Sequence, residues 1–226
     1  MPKYFIYGLG GLIIGLAVGF FAANSINREA AIPQVSNVVG KQISVPGDGS
    51  SSVAQGGMQM DVAETIAKAD AEPQNFAVQM RTGDMYAQIG RFDRAIEYYN
   101  RGLAIKPDDF KGNVVLANAY FDSRQFEEAS KYYEKALTVN PRDLNARTDL
   151  GTTFVERPAP NHDRAIKEFR TALEIEPKHE PALYYLGIAY FRKGDFQNAN
   201  AVLSELEKAN PASELIGRLK QNISPK

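Results

Sequence analysis

The chain has 226 residues, enough for one or two domains, and 26 basic against 27 acidic side chains give a formal net charge of −1. Only Lys3 among the basic residues precedes position 25, so the remainder carries 25 cations against 27 anions, with no basic footprint for nucleic acid and no charged tail. Cysteine is absent, which excludes disulfides, thiolate nucleophiles, Cys-based metal sites, haem attachment and lipidated cysteines.

The first element is Tyr4 to Ala23, twenty residues without a charge. At about 1.5 Å per residue they span the ~30 Å hydrocarbon core as one helix. Aromatic rings stand at both ends, where the membrane interface favours them. Residues 1–24 are therefore read as a single-pass transmembrane anchor. Gly11, Gly15 and Gly19 recur every four residues, a spacing that would let a second such helix approach closely and self-associate. A cleaved signal peptide is the rival reading. The apolar run is longer than a usual signal core, and Phe20 and Phe21 spoil the cleavage registers. Lys3 on one side and Arg28 beside Glu29 on the other place the amino terminus in the cytoplasm and the rest outside, in the periplasm of a bacterial cell.

Residues 25–60 are rich in Ser, Gly, Gln and Pro and hold no apolar period. They read as a flexible linker, with a coil reach of about 30–35 Å. The run Gly47-Asp48-Gly49-Ser50 lacks the Gly-Lys-Ser/Thr ending of a phosphate loop. Asp61 to Ala71, followed by Pro73, reads as a lone helix.

From Phe76 to Pro211 the chain is organised by a period. Ala95, Ala129, Ala165 and Ala199 stand 34, 36 and 34 residues apart, and Pro107, Pro141, Pro177 and Pro211 keep the same spacings. Tyr86, Tyr120, Phe154 and Tyr190 run 34, 34 and 36 apart. Such a period means stacked supersecondary units, each unable to bury its apolar face alone. Each unit reads as two amphipathic helices, A and B, joined by a short turn. Proline ends each B helix and restarts the chain. The units are 76–109, 110–143, 144–179 and 180–213, and a capping helix is expected over 212–223. Gly83, Ala117, Gly151 and Gly187 in the A helices, with the alanine ladder in the B helices, let each hairpin close tightly.

At these residues the chain resembles the tetratricopeptide-repeat family. The blocks GDMYAQIGRFDRAIEYYNRGLAIKP and LGIAYFRKGDFQNANAVLSELEKANP carry its pattern of Gly, Tyr, Gly, aromatic, Ala, large, small and Pro. The initial Trp of that pattern is missing, with Gln79, Asn113, Arg147 and Leu183 in its place, and the third unit has two extra residues in its turn. The resemblance implies an all-α, right-handed solenoid of helix-turn-helix repeats, here preceded by one transmembrane helix. It also implies a concave face, lined by the A helices, that docks a protein or peptide segment. Carried over by position, that groove comprises Met80, Arg81, Asp84, Lys111, Val114, Val115, Asn118, Phe121, Asp149, Thr152, Tyr184, Tyr185, Ile188, Phe191 and Arg192. Members that clamp a terminal carboxylate use Lys and Asn, then Asn, then Lys and Arg, at positions occupied here by Met80 and Asp84, then Val115, then Asn145 and Asp149; the cations a carboxylate needs are missing, so acidic chaperone tails are not expected to bind.

No catalytic constellation is legible, and neither an enzyme nor a cofactor is expected. His162 and His179 read as surface loop residues. The expected function is a membrane-anchored scaffold that takes part in assembling a membrane or periplasmic complex. The alternatives are a secreted soluble module after signal cleavage and a targeting receptor facing the cytosol.

Overall fold

The computed structural model describes residues 52–224. The expected membrane span, with Gly11, Gly15 and Gly19, and most of the expected linker lie outside the described residues. Among the described residues no helix is long and apolar enough to cross a membrane.

Ten helices follow one another among the described residues, with no strand. Helix α1, Ser52–Ala71, precedes four hairpins. It begins nine residues before the helix expected from Asp61, inside the stretch read as linker. The hairpins are α2 (Phe76–Gln88) with α3 (Phe92–Ile105), α4 (Phe110–Asp122) with α5 (Phe126–Val139), α6 (Leu144–Glu156) with α7 (His162–Ile175), and α8 (Glu180–Lys193) with α9 (Phe196–Ala209). Helix α10, Glu214–Ile223, closes the stack. The result is an all-α solenoid.

The helix starts are set locally. Asn75, Asp109, Asp143 and Ser213 cap α2, α4, α6 and α10, and each side chain accepts a backbone N–H of the first turn. Such caps are worth about 1 kcal/mol each. At the equivalent position of α8 stands His179, which makes no side-chain cap; Pro181 in the first turn supplies the helical φ instead.

Three of the four hairpins turn through a left-handed residue, Gly90 (φ 72°), Arg124 (φ 62°) and Gly194 (φ 87°). In each, the backbone N–H that follows the left-handed residue returns to the carbonyl of the ladder aromatic: Arg91 to Tyr86, Gln125 to Tyr120 and Asp195 to Tyr190. The third hairpin has two extra residues and leaves α6 through an extended Arg157. Its Asn161 N–H still returns to the Phe154 carbonyl at 2.9 Å. The insertion is thus absorbed as an outward loop, and the helices beyond it keep their register.

Packing follows the small-residue ladders. Ala95, Ala117, Ala129, Ala165, Ala172 and Ala199 are at most 1% exposed. A β-carbon on Gly83 or Gly151 would stand 2.5 Å from the ring of Tyr99 or Phe169, so α2 and α6 approach the facing aromatic to a distance that only glycine allows. The A helices also approach one another along the stack, α2 to α4, α6 to α8 and α8 to α10. The larger core joins the second, third and fourth hairpins to α10, and a smaller one joins the first hairpin to the second.

The register of the missing Trp has its own logic. Gln79 donates its amide to the carbonyls of Ala69 (2.7 Å) and Glu72 (3.1 Å). Asn113 donates to those of Pro107 (2.9 Å) and Asp109 (2.8 Å). Arg147 donates to the Pro141 carbonyl (2.8 Å) and to Glu168 Oε2 (2.7 Å). Where a large indole would fill the junction between units, these side chains instead donate to carbonyls of the preceding turn; those of Glu72 and Asp109 also accept a backbone N–H, and Gln79 Oε1, Asn113 Oδ1 and Arg147 Nε are left buried without a partner among the described residues. Leu183 reverts to apolar filling.

Candidate peptide-docking face

The A helices carry four residues each onto one face because side chains three, four and seven apart share a helix side. Register by register along the stack, these are Met80, Val114, Thr148 and Tyr184; Arg81, Val115, Asp149 and Tyr185; Asp84, Asn118, Thr152 and Ile188; and Gln88, Asp122, Glu156 and Arg192.

Not all of the expected lining is open. Tyr184, Ile188 and Thr152 are only 6%, 9% and 7% exposed and belong to the interior. Met80 packs between hairpins: a β-carbon on Gly102 would meet its Sδ at 2.6 Å. Tyr185 is partly exposed, but its ring stacks on Phe169 with centroids 6.1 Å apart, and burial pushes its hydroxyl above its usual range. These side chains close the junctions between units, a role that sequence position alone does not separate from lining. Arg81, Asp84, Lys111 and Arg192 are exposed, while Val114, Val115, Asn118, Phe121, Asp149 and Phe191 are partly exposed. Phe121 and Phe191 sit edge-on to Phe126 and Phe196, each at 5.3 Å, so they lie toward the hairpin turns.

One register changes character along the solenoid. In the first hairpin the Tyr99 hydroxyl donates to Asp84 Oδ1 at 2.7 Å, and in the second Tyr133 donates to Asn118 Oδ1 at 2.5 Å. In the third the partners are Phe169 and Thr152, whose hydroxyl donates to the Thr148 carbonyl at 2.9 Å. In the fourth they are Leu203 and Ile188. Losing the phenolic donor goes with losing its acceptor, so in this register neither is left facing an apolar partner.

Asp149 lies at the middle of the face. Burial, with like charge on Asp143 and Asp122, pushes its carboxyl up to about 7. The neighbouring hydroxyls of Tyr133 and Tyr185 both feel its charge. A carboxyl whose folded value is raised costs stability when it ionises. The stability it permits is complete below the unfolded value near 4 and is lost as pH rises through about 7. Asp149→Asn is therefore expected to raise the melting temperature by several degrees at pH 8 and by little at pH 4, as thermal unfolding across that range will read.

The C-terminal end was not fully anticipated. Helix α10 packs on α8, Asn222 Nδ2 lies 3.3 Å from the Tyr184 hydroxyl, and Arg218 stands over the Tyr184 ring at 5.4 Å. The signal was in the period: Met80, Val114, Thr148, Tyr184 and Arg218 are 34, 34, 36 and 34 apart, so α10 continues the A-helix register as half a unit. The histidines also differ from expectation. His162 opens α7, and His179 stands at the N-cap position of α8. Both are partly buried, which lowers their pKa. Among the described residues no group of three or more His, Asp or Glu could hold a metal ion.

Stacked helical hairpins of this period define a helical repeat solenoid. A family model for the TPR repeat matches residues 83–122, and one for the middle TPR-like domain of cilia and flagella-associated protein 70 matches residues 113–218. The chain belongs to the tetratricopeptide-repeat proteins. Among solved structures it is similar to MamA, with a TM-score of 0.63 and 21% identity over 70% of this chain and 91% of that one. It is also similar to YrrB, described as a TPR protein with an unusual peptide-binding site, with a TM-score of 0.64 and 18% identity over 74% and 86%. MamA of Desulfovibrio magneticus RS-1 gives 0.63 and 17% over 72% and 90%. No curated protein matches the chain at a significant level.

Proposed function

We propose that this protein is a docking scaffold whose A-helix face holds an extended segment of a partner protein. The observation that carries the reading is the run of partly exposed apolar side chains, Val114, Val115, Phe121 and Phe191, set among Arg81, Lys111, Asn118, Asp149 and Arg192. Apolar area rimmed by polar groups marks a binding surface. The likeness to YrrB, itself described by its peptide-binding site, agrees with it. The work of such a module is binding, and no bond-making step is assigned to it.

Residues 4–23 would anchor the scaffold in a bilayer, and the polar stretch that follows would give it reach. The solenoid then stands on the extracytoplasmic side, serving assembly of a membrane or periplasmic complex. The uncharged run of twenty residues and the Lys3 flank support this placement. Protease that digests residues 61–226 in spheroplasts but spares them in intact cells would agree with it; protection in both would place the solenoid in the cytosol. An intact mass lacking the first two dozen residues would make it a secreted module instead.

Val115→Arg tests the docking face. Val115 is partly exposed and packs one side against the smaller core, so a modest drop in melting temperature is expected without loss of the fold, since Arg81 holds the same register in the first hairpin. Partner capture by the folded variant is expected to fall at least tenfold, because a guanidinium would replace the apolar contact. Full capture by the folded variant would remove the face from consideration.

A further inference from the structure

We propose that Asn118 on α4 holds the docked segment by its main chain, giving a side-chain N–H to a backbone carbonyl, and that Tyr133 on α5 is the positioning residue that sets it to do so. The inference rests on the docking reading above and names the chemical group of the occupant that this face recognises.

The amide is fixed from beneath. Tyr133 is 2% exposed, and its hydroxyl donates to Asn118 Oδ1 at 2.5 Å. The direction of that bond has a precedent one unit earlier. There the Tyr99 hydroxyl meets Asp84 Oδ1 at 2.7 Å, and an ionised carboxylate only accepts, so the phenol at this register is the donor. Burial pushes the Tyr133 hydroxyl well above its usual range, which keeps it protonated and donating. An asparagine whose oxygen is held inward turns its nitrogen outward. Asn118 is partly exposed, and among the described residues its side-chain N–H groups go to no acceptor.

The surroundings select the acceptor. Val114 and Val115 lie one turn before Asn118 and Phe121 three residues after it, all partly exposed. Side chains three and four apart share a helix side, so the donor stands in an apolar strip, where water competes less for its bond. Asp122 follows by one turn, and in the next unit like charge on Asp143 and Asp122 already pushes the Asp149 carboxyl up. Another anion is disfavoured there, and a neutral acceptor fits. The peptide carbonyl is the neutral acceptor that an extended segment offers at every second residue on one side. The donor also occurs once in its register. Asp84 has no side-chain N–H, Thr152 gives its hydroxyl to the Thr148 carbonyl at 2.9 Å, and Ile188 is apolar. The second hairpin is therefore where the main chain is fastened, and Val114, Val115 and Phe121 favour apolar residues on either side of that point.

The probe is the tightest dodecapeptide selected from a random phage-displayed library against the full chain in detergent micelles, made with each main-chain amide in turn replaced by an ester, whose carbonyl is the weaker acceptor. One ester position is expected to lower affinity about fivefold, most of the worth of one hydrogen bond. Asn118→Asp keeps an acceptor for Tyr133, as Asp84 does for Tyr99, and replaces the outward donor by an acceptor. In this folded variant, affinity for the all-amide peptide should fall about tenfold or more, and the sensitive ester should bind as well as the amide or better. Tyr133→Phe, a side chain that Phe169 carries at the same register, frees the amide to turn. It should weaken binding about threefold and shrink the cost of that ester. With peptides that Val115→Arg abolishes, the absence of any sensitive ester, an Asn118→Asp variant that binds like the parent, or an ester cost that survives Asn118→Asp would overturn the inference and leave the docking face standing. The last is what added charge alone, or a bond from a peptide N–H to the Asn118 oxygen, would give. Peptides indifferent to Val115→Arg, or a selection that enriches nothing, would remove the docking face and the inference with it.

Discussion

Glu168→Ala is expected to destabilise the solenoid by about 3–5 kcal/mol. Glu168 is 5% exposed and joins two arginines in a network that spans three helices. Its Oε2 accepts from Arg147 of α6 at 2.7 Å, and its Oε1 accepts from Arg164 of α7 at 3.0 Å. Arg164 also reaches Glu134 of α5 at 2.8 Å. Removing the carboxylate leaves the Arg147 guanidinium, whose side chain is 15% exposed, without its anion. An uncompensated buried charge costs far more than the net worth of the pair. The fourth hairpin shows the apolar alternative, because Leu183 and Val202 occupy the registers of Arg147 and Glu168. The double variant Arg147→Leu, Glu168→Val should therefore recover most of the loss. At roughly 2–4 °C per kcal/mol for a domain of this size, the single variant should melt some 6 °C or more below the parent and the double variant near it. A single variant that melts with the parent would show that the network is dispensable.

The second large effect is steric. Gly151→Ala places a methyl 2.5 Å from Phe169 Cε1 and 2.8 Å from two further ring atoms. Phe169 is fully buried and stacked on Tyr185, so its ring has nowhere to swing. The hairpin must open, at about 1–3 kcal/mol of overpacking, and the helix-propensity gain of about 1 kcal/mol offsets only part of this. Gly217→Ala is the matched control. It also lies within a helix, α10, but a methyl there meets nothing within 4 Å, so it should stabilise by up to about 1 kcal/mol. The same substitution at two helical glycines is thus expected to have opposite signs in denaturant unfolding. Stabilisation in both would show that hairpin closure is not what glycine serves at position 151.

Both effects join sequence ladders to contacts that the ladders do not name. A period of 34 residues with small residues at fixed registers states that helices approach closely at Gly151, but not that Phe169 stands there. The candidate face divides in the same way. Its positions follow from register alone, and the structure brings them to one side. Whether each side chain opens outward or closes a junction depends on neighbours in the next hairpin, and this moved Tyr184, Ile188 and Thr152 inward. Arg218 was within reach of the sequence had the period been carried one step past Pro211. The histidines were not, since their partial burial is set by the stacked hairpins and not by their sequence positions.

The sequence by itself determined the repeat architecture. The period, the helix bounds from Phe76 to Ile175, the prolines between units and the capping residues are all local or periodic, and hydrophobic burial of one face leaves few other ways to stack them. Only the tertiary structure decided how each junction is satisfied. Amides and a guanidinium tie down turn carbonyls where an indole is missing. Phenolic donors and their acceptors disappear together from the third hairpin onward. The two-residue insertion after α6 recloses on the Phe154 carbonyl. These are pairings between side chains or backbone groups whose sequence positions are independent, and they are fixed by distances and burial that exist only once the hairpins are stacked.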